Sequence, residues 1–106
     1  MREITERELG GWIARGERRL IVLGHTPFCG TCKAARRMLE VVEELRPELE
    51  IYALDLNFAP SFVRTYRISS TPSLSVFEPG GAGTPRTIYA VRSVPYVLDF
   101  IENETG

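Results

Sequence analysis

Two cysteines, one histidine, one lysine and one tryptophan are all that this 106-residue sequence holds of those four residue types. Two cysteines cannot build a multi-disulfide scaffold, so the fold has to rest on an apolar core, and the expected compartment is the cytosol. No apolar run approaches the roughly 20 residues that span a bilayer. The opening Met1-Arg2-Glu3-Ile4-Thr5-Glu6 lacks the basic stretch and apolar core of a secretion signal. Charge of one sign is missing too. Thirteen basic against 14 acidic side chains leave a net charge of -1, which gives no broad attraction to nucleic acid or to an anionic membrane. No internal repeat or low-complexity tract is present.

What remains is an ordinary globular balance, 43% apolar and 25% charged, in a chain short enough for one domain over residues 1–106. Twelve of the 13 basic residues are arginine, and the lone lysine, Lys33, directly follows Cys32. Thr5 and Glu8 form a capping box, with Ile4 and Leu9 at the staple positions. They open a helix whose apolar stripe is Leu9, Trp12 and Ile13 and whose C-terminal left-handed residue is Gly16. Trp12 reads as a core anchor.

Leu20 to Leu23 is a short, continuously apolar run ending at Gly24, the pattern of a strand buried on both faces. Ala35, Met38, Leu39, Val42 and Leu45 then recur at helical spacing, so a helix runs from Cys29 or Gly30 to Leu45 and is stopped by Pro47. A strand follows at Ile51 to Leu56. A short helix opens near Pro60, with Phe62, Val63 and Tyr66 on its buried side. Leu74 to Phe77 and Thr87 to Val91 read as two further strands paired antiparallel across a turn at 79–83, whose glycines lack the following helix a phosphate loop needs. Ser93 caps a last helix with Pro95 in its first turn and Val97, Leu98 and Ile101 inward. The order α-β-α-β-α-β-β-α predicts an α/β fold: a four-stranded mixed sheet, last strand antiparallel, with helices on both faces.

Cys29-Gly30-Thr31-Cys32 falls at the start of the second helix. One helical turn brings two such sulfurs within bonding reach, and the unpaired N–H groups at the helix start favour a thiolate on the first. Thiols in this setting have pKa values lowered to roughly 3.5–7.5. Cys29 is then the nucleophile toward a disulfide, and Cys32, more buried, resolves the mixed disulfide. Along this helix Lys33, Arg36 and Arg37 precede Glu40, Glu43 and Glu44. That order opposes the macrodipole and reads either as a solvated face with local pairs such as Arg36 with Glu40 or as a cationic field that stabilises the Cys29 thiolate or steers acidic partners.

The apolar strand, Phe28-Cys29-Gly30-Thr31-Cys32-Lys33, Tyr66-Arg67-Ile68, Thr71-Pro72 and the strand to Phe77 with Gly80 together resemble thioredoxin, over nearly the whole chain. The similarity is greatest to small bacterial cytosolic members of the thioredoxin-like family with a T-P-x-C-G-T-C-K motif. The resemblance implies the thioredoxin fold and a cis Thr71-Pro72 peptide facing the cysteines, with the Thr71 backbone pairing with an extended substrate segment. It implies a substrate groove of Phe28, Gly30, Thr31, Thr71 and Pro72, with Arg92 and Ser93 beside it. It also implies a cytoplasmic monomer without cofactor beyond its Cys29–Cys32 pair, reducing disulfide-containing proteins and recharged by a reductase or a low-molecular-weight thiol.

The sequence departs from thioredoxin's pattern at several positions. Phe28 and Thr31 stand for the tryptophan and proline of W-C-G-P-C. Leu23 occupies the place of a buried aspartate that serves the second cysteine as base. Arg92 replaces a glycine. His25-Thr26-Pro27 leads into the motif, where His25 and Lys33 are candidates for tuning Cys29 and His25 reads equally as a packed or solvated loop histidine. Two rival readings stay open: a redox-sensing or adaptor module with little turnover, and metal or cluster binding through His25, Cys29 and Cys32, three ligands where a closed zinc site needs four.

Overall fold

The apolar runs set the frame of the molecule. In the computed structural model, which describes residues 1–80 and 84–102, the central strand β2 (Leu20–His25) has Leu20 to Gly24 all buried. Strand geometry sends alternate side chains to opposite faces, so Leu20 and Val22 enter one core layer and Ile21 and Leu23 the other. A continuous rather than alternating run is what a strand covered on both sides requires.

The sheet has five strands in the order β1-β3-β2-β4-β5: β1 (Arg2–Ile4), β3 (Ile51–Asp55), β2, β4 (Ser73–Phe77) and β5 (Arg86–Ile88). The first three are parallel; β4 runs antiparallel to β2, and β5 antiparallel to β4. This corrects the expected four-stranded sheet in two ways. A short edge strand is added at the N-terminus, and the antiparallel relation begins at β4 rather than at the last strand alone. The fifth strand also ends at Ile88 instead of Val91. Of the turn expected at 79–83, Pro79 and Gly80 are a turn, with Gly80 at φ 106°, and residues 81–83 lie outside the described residues.

Helix α1 (Glu6–Arg15) begins with the capping box: Glu8 N–H donates to Thr5 Oγ1 at 3.1 Å, and Thr5 N–H donates to Glu8 Oε1 at 3.0 Å. It ends at Gly16 in the left-handed conformation, φ 60°. Helices α1 and α3 (Pro60–Tyr66) cover one face through Leu9 and Phe62. Helices α2 (Gly30–Leu45) and α4 (Val94–Glu102) cover the other through Ala35, Leu39, Val42, Val97 and Ile101. Ser93 caps α4, accepting from Tyr96 N–H on its hydroxyl at 3.2 Å. No described helix is long and apolar enough to cross a membrane.

Candidate active site

The C-terminal end of β2 and the start of α2 bring the cysteine pair to one edge of the sheet. Cys29 is the N-cap of α2, with extended backbone (φ -112°, ψ 107°), and its sulfur accepts a hydrogen bond from Cys32 N–H at 3.1 Å. The two cysteines form a disulfide with a Cα–Cα distance of 5.2 Å. Cys29 is half-buried, whereas Cys32, one turn into the helix, is only 4% exposed. That asymmetry matches an accessible attacking sulfur and a sheltered resolving one.

Two hydroxyls converge on the same Cys29 sulfur. Thr31 Oγ1 is 3.4 Å away, and Thr71 Oγ1 donates across a gap of 3.7 Å. Thr71 comes to the sulfur from just before β4, the strand beside β2, and its peptide to buried Pro72 is cis. Together with the Cys32 N–H, three donors point at one atom. Hydrogen bonds to the charged form of a group favour that form, and the dipole of the 16-residue α2 acts in the same direction.

Beside the sulfur opens an apolar groove of about 310 Å³. Thr31, Ala34 and Met38 of α2 form one wall, Thr71 and Pro72 another, and Tyr89 to Val91 close the end. Of the substrate-groove residues expected from sequence, Thr31, Thr71 and Pro72 line it. Phe28 stands out from the surface next to Cys29 at 99% exposure, and Gly30 is exposed with no atom near the position a Cβ would take. Arg92 lies one residue past the lining segment, with its guanidinium 5.3 Å over the Tyr96 ring.

His25 and Lys33 sit on the other side of the pair. Both line a separate pocket of about 160 Å³ together with Leu23, Cys32 and Arg36, a pocket whose lining includes the second cysteine and not the first. His25 Nε2 is 3.4 Å from Glu3 Oε2, and Arg36 donates to Glu3 Oε1 at 2.9 Å. The pair expected between Arg36 and Glu40 is thus replaced by one to β1. Burial pushes the Glu3 carboxyl up, but the hydrogen bonds and charges of Arg36 and His25 outweigh it and hold the carboxyl below its ordinary value. Glu3 had no sequence signal, because it lies 22 residues from His25 and reaches it only through the sheet. Leu23 is fully buried behind Cys32. As for metal, no group of three or more His, Cys, Asp or Glu side chains gathers among the described residues, and both sulfurs are taken up in the disulfide.

Comparison with known proteins agrees with this geometry. The model of the family described as Thioredoxin matches residues 1–103. This chain belongs to the thioredoxin family. It is 37% identical over 106 residues to the thioredoxin-like protein YusE of Bacillus subtilis (strain 168), covering all of this chain and 95% of that one. Among solved structures, chloroplastic thioredoxin z superposes with a TM-score of 0.81 at 20% identity over all of this chain and 96% of that one. Fasciola hepatica thioredoxin does so with 0.77 at 18% identity, over 95% and 96% of the two chains. These likenesses show the fold. Family membership and the Cys29–Cys32 disulfide together give the chain a thiol-disulfide oxidoreductase kind of function, with the redox equivalents carried on its own cysteines and no cofactor required.

Proposed function

We propose that this thioredoxin-family chain reduces disulfide bonds of protein substrates in the cytosol, acting as a monomer, with Cys29 as nucleophile and Cys32 as resolving thiol. The convergence of Cys32 N–H, Thr31 Oγ1 and Thr71 Oγ1 on the Cys29 sulfur carries the reading. Donors that meet a disulfide sulfur in the oxidised protein meet a thiolate in the reduced one, where such charge-assisted hydrogen bonds are stronger.

In the reaction, the Cys29 thiolate attacks one sulfur of a substrate disulfide, forming a Cys29–substrate bond and releasing the other sulfur as a thiolate. Cys32 then loses its proton and attacks the Cys29 sulfur, forming the Cys29–Cys32 bond and releasing the second substrate thiolate. The substrate gains two electrons and two protons; the cysteine pair loses them. A reductase or a low-molecular-weight thiol returns them. The groove lined by Thr31, Met38, Thr71 and Pro72 supports docking of an extended substrate segment beside Cys29, and Phe28 gives that segment an apolar contact outside it.

Insulin reduction by dithiothreitol, followed by turbidity, tests this. Wild-type protein is expected to accelerate precipitation and Cys29→Ser to leave the uncatalysed rate, while Cys32→Ser traps substrate proteins as mixed disulfides. Equal rates for wild type and Cys29→Ser would overturn the reading. A second reading, a redox sensor with little turnover, draws on Leu23, which leaves no acid or base directly behind Cys32. It is favoured if the pair oxidises and reduces reversibly while insulin reduction stays at background.

A further inference from the structure

The register of the parallel strands places Glu3, Ala53 and Leu23 in one row, with Asp55 and His25 paired two residues on, on that same face. Helix α2 packs over this face through Ala35 and Leu39. Where β2 ends, strand and helix diverge and leave the pocket of about 160 Å³ that has Cys32 on one wall and His25 on another. A liquid water takes roughly 30 Å³, so the pocket has room for water between the thiol and the ring. The His25 side chain is 16% exposed, sheltered but not sealed.

Resolution of a mixed disulfide requires Cys32 to lose a proton, because the thiolate is the attacking form. Leu23 has no lone pair, and lysine and arginine are donor-only side-chain types. Histidine is the side-chain type whose charge ordinarily changes between pH 5 and 8. The Glu3 carboxylate accepts from Nε2, which assigns the ring proton to that nitrogen and leaves Nδ1 as the acceptor. The charged groups that face the site are Lys33 and Arg36 of α2, Glu3 of β1 and Asp55 of β3, the last also capping Asn57 N–H at 3.0 Å.

We propose that His25 accepts the Cys32 proton, through water in this pocket, during the resolving step. The inference rests on the disulfide-exchange reading above and assigns His25 to its second half. The Cys32 S–H proton passes to His25. The resulting thiolate forms a bond to the Cys29 sulfur, the Cys29–substrate bond breaks, and the departing substrate thiolate takes a proton from solvent. Electrons move only between the sulfurs, and the imidazolium returns its proton to solvent before the next cycle.

The two halves separate in a single-turnover reaction of the reduced protein, in excess, with 5,5′-dithiobis(2-nitrobenzoate). Attack by Cys29 releases one coloured thiolate and resolution by Cys32 a second; Cys32→Ser gives the first alone. His25→Gln is expected to leave the first release within about twofold and to slow the second by about 10²-fold at pH 7, the low end of what a positioned proton acceptor supplies. The second release is also expected to depend on pH differently in wild type and in His25→Gln, while the first releases of the two follow one profile. Added imidazole restores the second release in His25→Ala, whose emptied site can hold it. A second release unchanged by His25→Gln, or both releases slowed alike, overturns the proposal, as does a variant second release with the wild-type pH profile. If neither variant folds, a wild-type second release no more pH-dependent than the first overturns it. Absence of the first release in wild type overturns the exchange reading itself.

Discussion

At the scale of single residues, Phe28 and Cys29 show how neighbours in sequence serve different ends. Cys29 is half-buried and met by three donors, whereas Phe28 is 99% exposed and packs against nothing in the fold. An aromatic ring left in water gains nothing for stability, and exposed large apolar side chains gather meaning when they stand beside a reactive atom. Phe28→Ala is therefore expected to change unfolding free energy by less than about 0.5 kcal/mol. The same change should lower kcat/KM for protein disulfides by about tenfold, the effect of losing roughly 1.4 kcal/mol of aromatic burial in the encounter. Reaction with a small aromatic disulfide, too small to reach the ring and Cys29 together, should stay within about twofold. Urea unfolding and parallel assays with the two substrates check it. Equal losses on both substrates would place Phe28 in the support of Cys29 rather than in substrate contact.

Elements show where the sequence could and could not be read. The capping box of α1, the Gly16 stop and the Gly30–Leu45 span of α2 rest on contacts within a few residues, and local chemistry states them openly. Strand β1 does not: of Arg2, Glu3 and Ile4 only Ile4 is buried, and its ladder goes to β3 some 50 residues away. The end of β5 was hidden for a related reason. The alternation of Thr87 to Val91 looks like a strand, yet in the β4–β5 register Ala90 falls opposite Pro72, which has no N–H to pair. Thus the chain leaves the sheet after Ile88, freeing Tyr89 to Val91 to line the groove. The site divides likewise. The motif places Cys29 and Cys32, but Glu3 beside His25 needs the sheet. Gly24 was visible only as a stop, and its role is close approach: a Cβ there would collide with Ser73 Oγ and press on the Leu56 side chain. Gly24→Ala should destabilise the fold by about 1–3 kcal/mol, the usual cost of overpacking a filled interior. A lower urea midpoint with unchanged slope is the expected measurement; an unchanged midpoint would mean that β2 and β4 separate without cost at this point.

For the molecule as a whole, carboxylates tie separate elements to one another, and their titration sets how the fold responds to acid. Glu3 joins β1 to His25 of β2 and to Arg36 of α2. Glu78, just past β4, accepts from Arg19 at 2.9 Å and from Arg86 of β5 at 2.9 Å. Burial pushes the Glu78 carboxyl up, but hydrogen bonds and charge from Arg86 and Arg19 outweigh it and hold it below the ordinary 4.5. The Glu8 carboxyl in the capping box is held down as well, chiefly by the Thr5 backbone N–H. A carboxyl whose folded pKa is depressed binds fewer protons folded than unfolded, so its stabilisation is complete above the unfolded value and lost as pH falls through the folded one. Melting temperature should therefore be level above about pH 5.5, one unit over the unfolded carboxyl range, and fall increasingly steeply below it. Glu78→Gln removes one of these groups. It should cost about 1 kcal/mol at pH 7, the ordinary worth of a partly buried charge-assisted hydrogen bond, and make the acid slope shallower, so that the wild-type and variant curves converge as pH falls. Curves that stay parallel from pH 7 downward would show that the Glu78 bridge contributes through packing alone, and that acid acts on the fold through other groups.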